Sequence, residues 1–386
     1  MKRRDFIISA GALAAGASLM PRLAQAAPGV IDWYTSSDQN VLDFWTNVVK
    51  PKFEAANPGV TLNLVDGGDN AGLQAIAERA LAALGSNADP QADMFEGFDA
   101  RQPVGALDKG LWVDIKAAGL SNYDKINPLA LELDGMPQNL PYRGSQVLLA
   151  YDTTKLSPDA VPKTWADLVA WIKANPGQFI YNRPNKGGSG GNFVRRAIYE
   201  ANGRDPSLFK VDNYTAEAAG KMLDPAWEML KDLAPALMDG GAYTSGNTQS
   251  IQLLGQGAVT MIPAWSDQTI AAINQGALPE TTGLVQLQDL GFPGGFARLT
   301  IPTNGVNKDA ALKLADFVLT EEIQSAVLTE LGGFPGVSWD HVSAELREKY
   351  KDVIPASIPV FPGGDWEKAI NEGWYRAVAP NVDPNA

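Results

Sequence analysis

Between Val30 and Phe95 short apolar runs alternate with stretches of helical spacing. That alternation confines the chain to an α/β architecture, a mostly parallel sheet covered by helices. Val30 to Tyr34 reads as a first strand with the polar tip Thr35-Ser36-Ser37-Asp38-Gln39. The spacing of Val41, Phe44, Trp45, Val48 and Val49 predicts a helix that stops at Asn57-Pro58-Gly59. Val60 to Val65 is the next strand, with Gly67-Gly68-Asp69-Asn70 as its loop. Leu73 to Leu84 makes a second helix, and Ala92 to Phe95 a third strand that opens into Glu96-Gly97-Phe98-Asp99. Ligands of open α/β sheets bind beyond the carboxyl ends of strands, so three polar tips in succession are three candidate walls of one site.

The stretch Leu140 to Asp152, LPYRGSQVLLAYD, sets a polar corner (Arg143 to Ser145) before an apolar run (Val147 to Ala150). It suits a strand passing from one globular lobe to another, its corner facing a cleft, and it also suits an ordinary sheet strand that begins after a proline. Trp165 to Lys173 follows as a helix with Thr164 as its N-cap, and Phe179 to Tyr181 as a strand. The glycine-rich run Asn185 to Asn192 then opens a helix from Phe193 to Ala201. Backbone N–H groups there, with Gly188 and Ser189 foremost, would approach a ligand oxygen with help from the helix dipole; the alternative is a flexible surface turn. Gly187 to Gly191 also fits the GxSxG nucleophile pattern, but that elbow joins strand directly to helix, whereas Asn182 to Lys186, with Pro184, intervene. A triad further needs a histidine base, and the one histidine, His341, falls in Ser338 to Tyr350, which reads as a charged surface helix. No Gly-Lys-Ser/Thr follows the glycines, so the loop is not a Walker loop.

Asp224 to Met238 reads as an amphipathic helix and Ala258 to Ile262 as a strand, with Trp265 just past its end. An indole in that place is either core or a stacking platform for the apolar face of a sugar or another planar group. Phe296 to Pro302 looks like a second crossing strand. Trp366 stands at the start of the last helix and Trp374 two turns further on the same side, so one can line a site while the other packs.

Residues 1–26 read as an address: Lys2, Arg3 and Arg4, an apolar run Ile7 to Met20, then Ala24-Gln25-Ala26 as the small-x-small pattern of a cleaved signal peptide. Arg3-Arg4-Asp5-Phe6-Ile7 resembles the twin-arginine export signature. The chain has no cysteine, so neither disulfides nor a lipoprotein anchor is expected, and location in a periplasm follows. Without the leader the formal charge of −13 becomes about −16, which argues against nucleic acid and anionic membrane surfaces as partners. A mature chain of about 360 residues is long enough for two lobes.

Taken together, the polar first tip, LPYRGSQVLLAYD with PKTWADL (Pro162 to Leu168), GQGAVTMIPAWS (Gly255 to Ser266), AALKLADFVLTEEIQ (Ala310 to Gln324) and GGFPG (Gly332 to Gly336) resemble the extracellular solute-binding proteins of ABC importers. That group includes maltose, polyol, polyamine and thiamine binders. The resemblance implies a two-lobed, type II-like periplasmic binding protein fold with a hinge and a ligand cleft. On that template lobe one is 29–142 plus 300–333, and lobe two 143–299 plus 334–386. It places ligand contacts on Ser36, Ser37, Asp38, Asp99, Arg143, Gly188, Ser189, Trp265 and Trp366. It further implies a monomer without cofactor or metal, not an enzyme, that binds a small molecule and delivers it to transmembrane permease subunits. The expected ligand is a small oxygenated solute, a sugar or polyol; the alternatives are a cationic metabolite (thiamine or a polyamine) or an anionic organophosphate. A binding protein coupled to a chemoreceptor would share the fold. The rival is a secreted glycosidase in which Asp38, Asp99 and Asp365 converge.

Overall fold

The computed structural model describes residues 29–384 except 69, 87 and 354–357, so the export segment lies outside the described residues. Strand β1 (Val30–Thr35) buries every second side chain, Ile31, Trp33 and Thr35, as a pleated strand with one inward face must. It pairs in parallel with β2 (Thr61–Asp66) and β3 (Met94–Glu96). Between β1 and β2 runs a continuous helical segment: α1 (Gln39–Phe44), a π turn over Trp45–Val49, and α2 (Lys50–Ala56). The wider turn lets the chain neighbours Phe44 and Trp45, and again Val48 and Val49, share the buried face. Helices α3 (Asn70–Ala83) and α4 (Pro128–Asp134) follow in this half.

Strand β4 (Leu140–Asp152) is the long one. Beyond it come α5 (Trp165–Ala174), α6 (Gly188–Ala201), α7 (Ala216–Leu233), α8 (Asn247–Gly255), β5 (Met261–Trp265), α9 (Ser266–Asn274), β6 (Thr282–Val285) and β7 (Gly294–Thr300). The chain closes with α10 (Lys308–Phe317), α11 (Glu321–Ala326), β8 (Phe334–Pro335), α12 (Ala344–Lys349) and α13 (Asp365–Ala377). The sheet order is β2-β1-β3-β7-β4-β5, with β6 and β8 also paired to β4. Only β2-β1-β3 is parallel; β4 is antiparallel to β5, β6, β7 and β8, so the sheet is mixed rather than mostly parallel.

Two main cores lie on either side of the middle of β4. The first holds Trp33, Trp45, Phe53, Tyr142, Leu299 and Leu331; the second holds Val147, Leu149, Tyr151, Trp165, Phe193 and Trp374. The crossover reading of Leu140 to Asp152 therefore describes it, and the plain-strand reading does not. Val337 and Val342 also pack in the first core.

Several elements differ from expectation. Helix α6 begins at Gly188 because Gly188 to Gly191 form its first turn instead of a loop. Helix α7 starts at Ala216, where the Thr215 side chain accepts a hydrogen bond from the Ala218 N–H, and Pro225 sits inside it. Strand β5 is displaced toward Trp265. Phe179 and Asn182 make only isolated bridges, to Met261 and Thr244.

Candidate ligand-binding cleft

Antiparallel strands β4 and β7 run side by side between the two cores, and a cavity of about 390 Å³ opens on them. Arg143 and Ser145 of β4 and Phe296 and Arg298 of β7 form its floor; Asp134, Trp265 and Phe361 are among its walls. A β-bulge between Pro141 and Arg143 sets the chemistry of this floor. Successive strand residues normally point to opposite faces, but a bulge brings neighbours toward one side. Here the Tyr142 hydroxyl donates to Glu96 Oε1 at 2.9 Å, and Arg143 Nη2 donates to the same oxygen at 3.0 Å. Glu96, at the end of β3, is fully buried and accepts two further hydrogen bonds on Oε2, from Thr35 Oγ1 at 2.6 Å and Ser37 Oγ at 2.5 Å. Burial raises the Tyr142 phenol well above its ordinary range. Burial also works against the charge of Arg143, yet the oxygens of Tyr142, Glu96 and Asp267 outweigh it and hold the guanidinium protonated.

A second ionic cluster closes the lobe-one side. Arg298 Nε lies 3.1 Å from Asp134 Oδ2, and its Nη1 meets Asp99 Oδ2, which also takes Arg101 Nη1 at 2.8 Å. Asn139 donates to Asp134 at 2.7 Å. Burial opposes the Asp99 carboxylate, but the Arg101 N–H and the Arg298 and Arg101 guanidinium groups hold it below the usual range. Burial dominates at Asp134 and pushes it up. Among the described residues no group of three or more His, Cys, Asp or Glu side chains could hold a metal ion.

Asp267, in the first turn of α9, accepts from Ser145 Oγ at 2.8 Å and is 9% exposed. Burial raises its carboxyl, opposed by Arg143 and Ser145. Native Asp267 thus holds its proton to higher pH than the unfolded chain does, so its contribution is full at low pH and fades as pH climbs through the raised value. Asp267→Asn removes that loss. The melting temperature of the variant minus that of the wild type should rise between about pH 4 and about pH 8, and thermal scans at both ends check it.

The residues singled out from the sequence divide sharply. Arg143 and Trp265 line the cavity, and Ser37 Oγ lies 3.5 Å from Arg143 Nη2. Asp99 is tied to the arginines beside it. Ser36 instead donates to Asn70 at 3.1 Å, and exposed Asp38 accepts from Gln268 of α9 at 3.2 Å, a link between β1's tip and lobe two.

The glycine-run expectation needs correction. The N–H groups of Ser189 and Gly190 are occupied by the Asn247 and Asn182 side chains at 3.2 and 2.7 Å, and buried Ser189 Oγ lies 2.6 Å from Asn182. The glycines are there for close packing: a Cβ on Gly190 would stand 1.7 Å from the Asn182 carbonyl oxygen, and one on Gly188 would stand 2.5 Å from the Trp265 ring. Trp366 is also corrected: it is fully buried in the second core, and so is Trp374. Asp365 lines a separate groove between α7 and α13, so the three aspartates of the glycosidase reading do not share this cavity. Glu96, Arg298, Phe296 and Phe361 join the site without having been expected from the sequence. Glu96 and Arg298 each sit in a stretch that reads as a strand tip or a crossing strand, but neither strand alternates buried and open positions, so no local signal singles them out.

Comparison with known proteins agrees with this fold. A family model described as bacterial extracellular solute-binding protein matches residues 49–342. An extracellular solute-binding protein from Bordetella parapertussis superposes with a TM-score of 0.67 at 16% identity, over 92% of this chain and 100% of that one. The maltotriose-binding protein of Thermus thermophilus, with maltotriose bound, gives 0.63 at 16% identity, over 92% and 96%. The periplasmic binding protein AfuA of Actinobacillus pleuropneumoniae, holding fructose-6-phosphate, gives 0.54 at 17% identity, over 91% and 99%. At such identities the likeness is one of fold. No curated protein sequence matches the chain significantly. With the two cores, the strands that cross between them and a family match over most of its length, the chain belongs to the bacterial extracellular solute-binding proteins and has their two-lobed α/β fold.

Proposed function

We propose that this is the periplasmic substrate-binding component of an ABC importer and that it captures a small neutral, oxygen-rich solute, a sugar or polyol, between its lobes. The observation that carries the ligand class is the charge balance of the cleft. Arg143 is matched by Glu96, and Arg298 by Asp99 and Asp134, before any ligand arrives. What the guanidinium groups still offer is directional N–H donors, and these suit hydroxyl oxygens. Trp265, Phe296 and Phe361 add ring faces of the kind that cover the apolar side of a sugar. Maltotriose, held by a protein of the same fold, is a neutral solute rich in hydroxyl oxygens.

In this reading lobe one is 29–142 with 300–342, and lobe two is the remainder. The leader 1–26 is removed on export, and the protein works as a free monomer that docks to its permease and returns the ligand unchanged. A thermal-shift screen of the mature protein over sugars, polyols, polyamines, thiamine and organophosphates is the test. A true ligand at a hundred times its dissociation constant should add about 2.7 kcal/mol of stability. The ligand recovered afterwards should be intact. A shift with cations alone would overturn the solute class, and detectable product would overturn binding without turnover.

A further inference from the structure

We infer that Glu96 is the specificity-determining residue of the cleft: by permanently matching the charge of Arg143 it turns a potential anion site into a donor for neutral solutes. This rests on the cleft being the ligand site proposed above.

The distinction between Glu96 and the other carboxylates is its inability to leave. Asp99 is partly open to solvent, with a side-chain exposure of 30%, and can be reoriented when a competing anion approaches Arg298. Glu96 has 0% exposure and four donors on two oxygens, which come from β1, its polar tip and β4. Thr35 Oγ1 in turn accepts from the Ser37 N–H at 2.9 Å, so the tip itself is braced. On the other side, Arg143 Nε is fixed on the Tyr142 hydroxyl at 2.9 Å. With Nε and Nη2 spent, Nη1 takes no protein partner among the described residues, and the residue lines the cavity. An anion entering here would meet a guanidinium already paired, with the Asp267 carboxyl also facing it. A hydroxyl would meet an oriented N–H and no net charge to satisfy.

Isothermal titration of inorganic phosphate at low ionic strength, on the full mature protein, tests this. Wild type should bind phosphate weakly. Glu96→Gln is nearly isosteric and should raise phosphate affinity at least about tenfold, a gain that shrinks with added salt. The Glu96→Gln, Arg143→Met double variant should return to the wild-type level, because the gain passes through Arg143. A merely structural role for Glu96 would change stability and leave the phosphate response flat. The inference is overturned if Glu96→Gln shows no gain, or if wild type already binds phosphate as tightly as the variant. Should Glu96→Gln fail to fold, the wild type itself decides: with Arg143 matched by Glu96, its weak phosphate binding should not fall as ionic strength rises, and a steep fall with salt overturns the inference. Absence of any sugar or polyol hit for wild type would sink the neutral-solute reading separately and leave the phosphate comparison readable.

Discussion

Trp366→Ala should lower the unfolding free energy by about 3–5 kcal/mol and leave the ligand dissociation constant of the folded protein unchanged. The indole has no exposed surface and meets Phe209 edge-on at 4.9 Å and Tyr214 at 5.3 Å. Its Nε1–H donates to the Lys210 carbonyl at 3.1 Å, so truncation both empties a cavity and strips that carbonyl of a donor. Urea unfolding followed by fluorescence gives the first quantity, and titration with the solute found by screening gives the second. A loss of affinity with stability preserved would return Trp366 to the cleft.

Arg143→Met should cost a comparable amount, about 3–5 kcal/mol, and should weaken solute binding as well. The cause is different. Glu96 would keep its hydroxyl donors yet lose the cation that makes its burial tolerable. Removing both charges, as in the Glu96→Gln, Arg143→Met double variant, should recover much of the lost stability, because an apolar or neutral pair has no uncompensated charge. Chemical denaturation of the two single variants and the double variant measures the coupling; additive losses would mean that the pair is not an energetic unit.

These two residues also mark what was legible in the sequence. Arg143 could be placed at the cleft because its neighbours declare a strand with a polar corner, and strand direction and corner chemistry are local properties. Which way Trp366 faces is not local. It depends on Phe209 and Tyr214, far off in the chain, and one helical position reads alike whether core or cleft lies opposite. The glycine run failed for a related reason. A gap in front of a helix looks like a cradle until Asn182 and Asn247, one on either side of it in sequence, fill the N-terminus with their side-chain oxygens. At the third tip the sequence points to Asp99 rather than Glu96, since nothing in it says that a bulge at Tyr142 will aim a hydroxyl and a guanidinium at Glu96.

The long strand β4 has one more property. Beyond its middle Val147, Leu149 and Tyr151 feed one core, whereas Leu148 and Ala150 feed two smaller clusters on the other face. Neither face can tolerate the other's side chains without repacking, so the parity of the strand is fixed. A deletion of one residue would exchange odd for even through the whole run and misdirect both layers at once. A deletion of two would preserve parity and shift only the pairing with β5 and β6. Natural length variation in chains of this fold should therefore collect in the connecting loops and spare this strand, as gear teeth can be worn but not skipped.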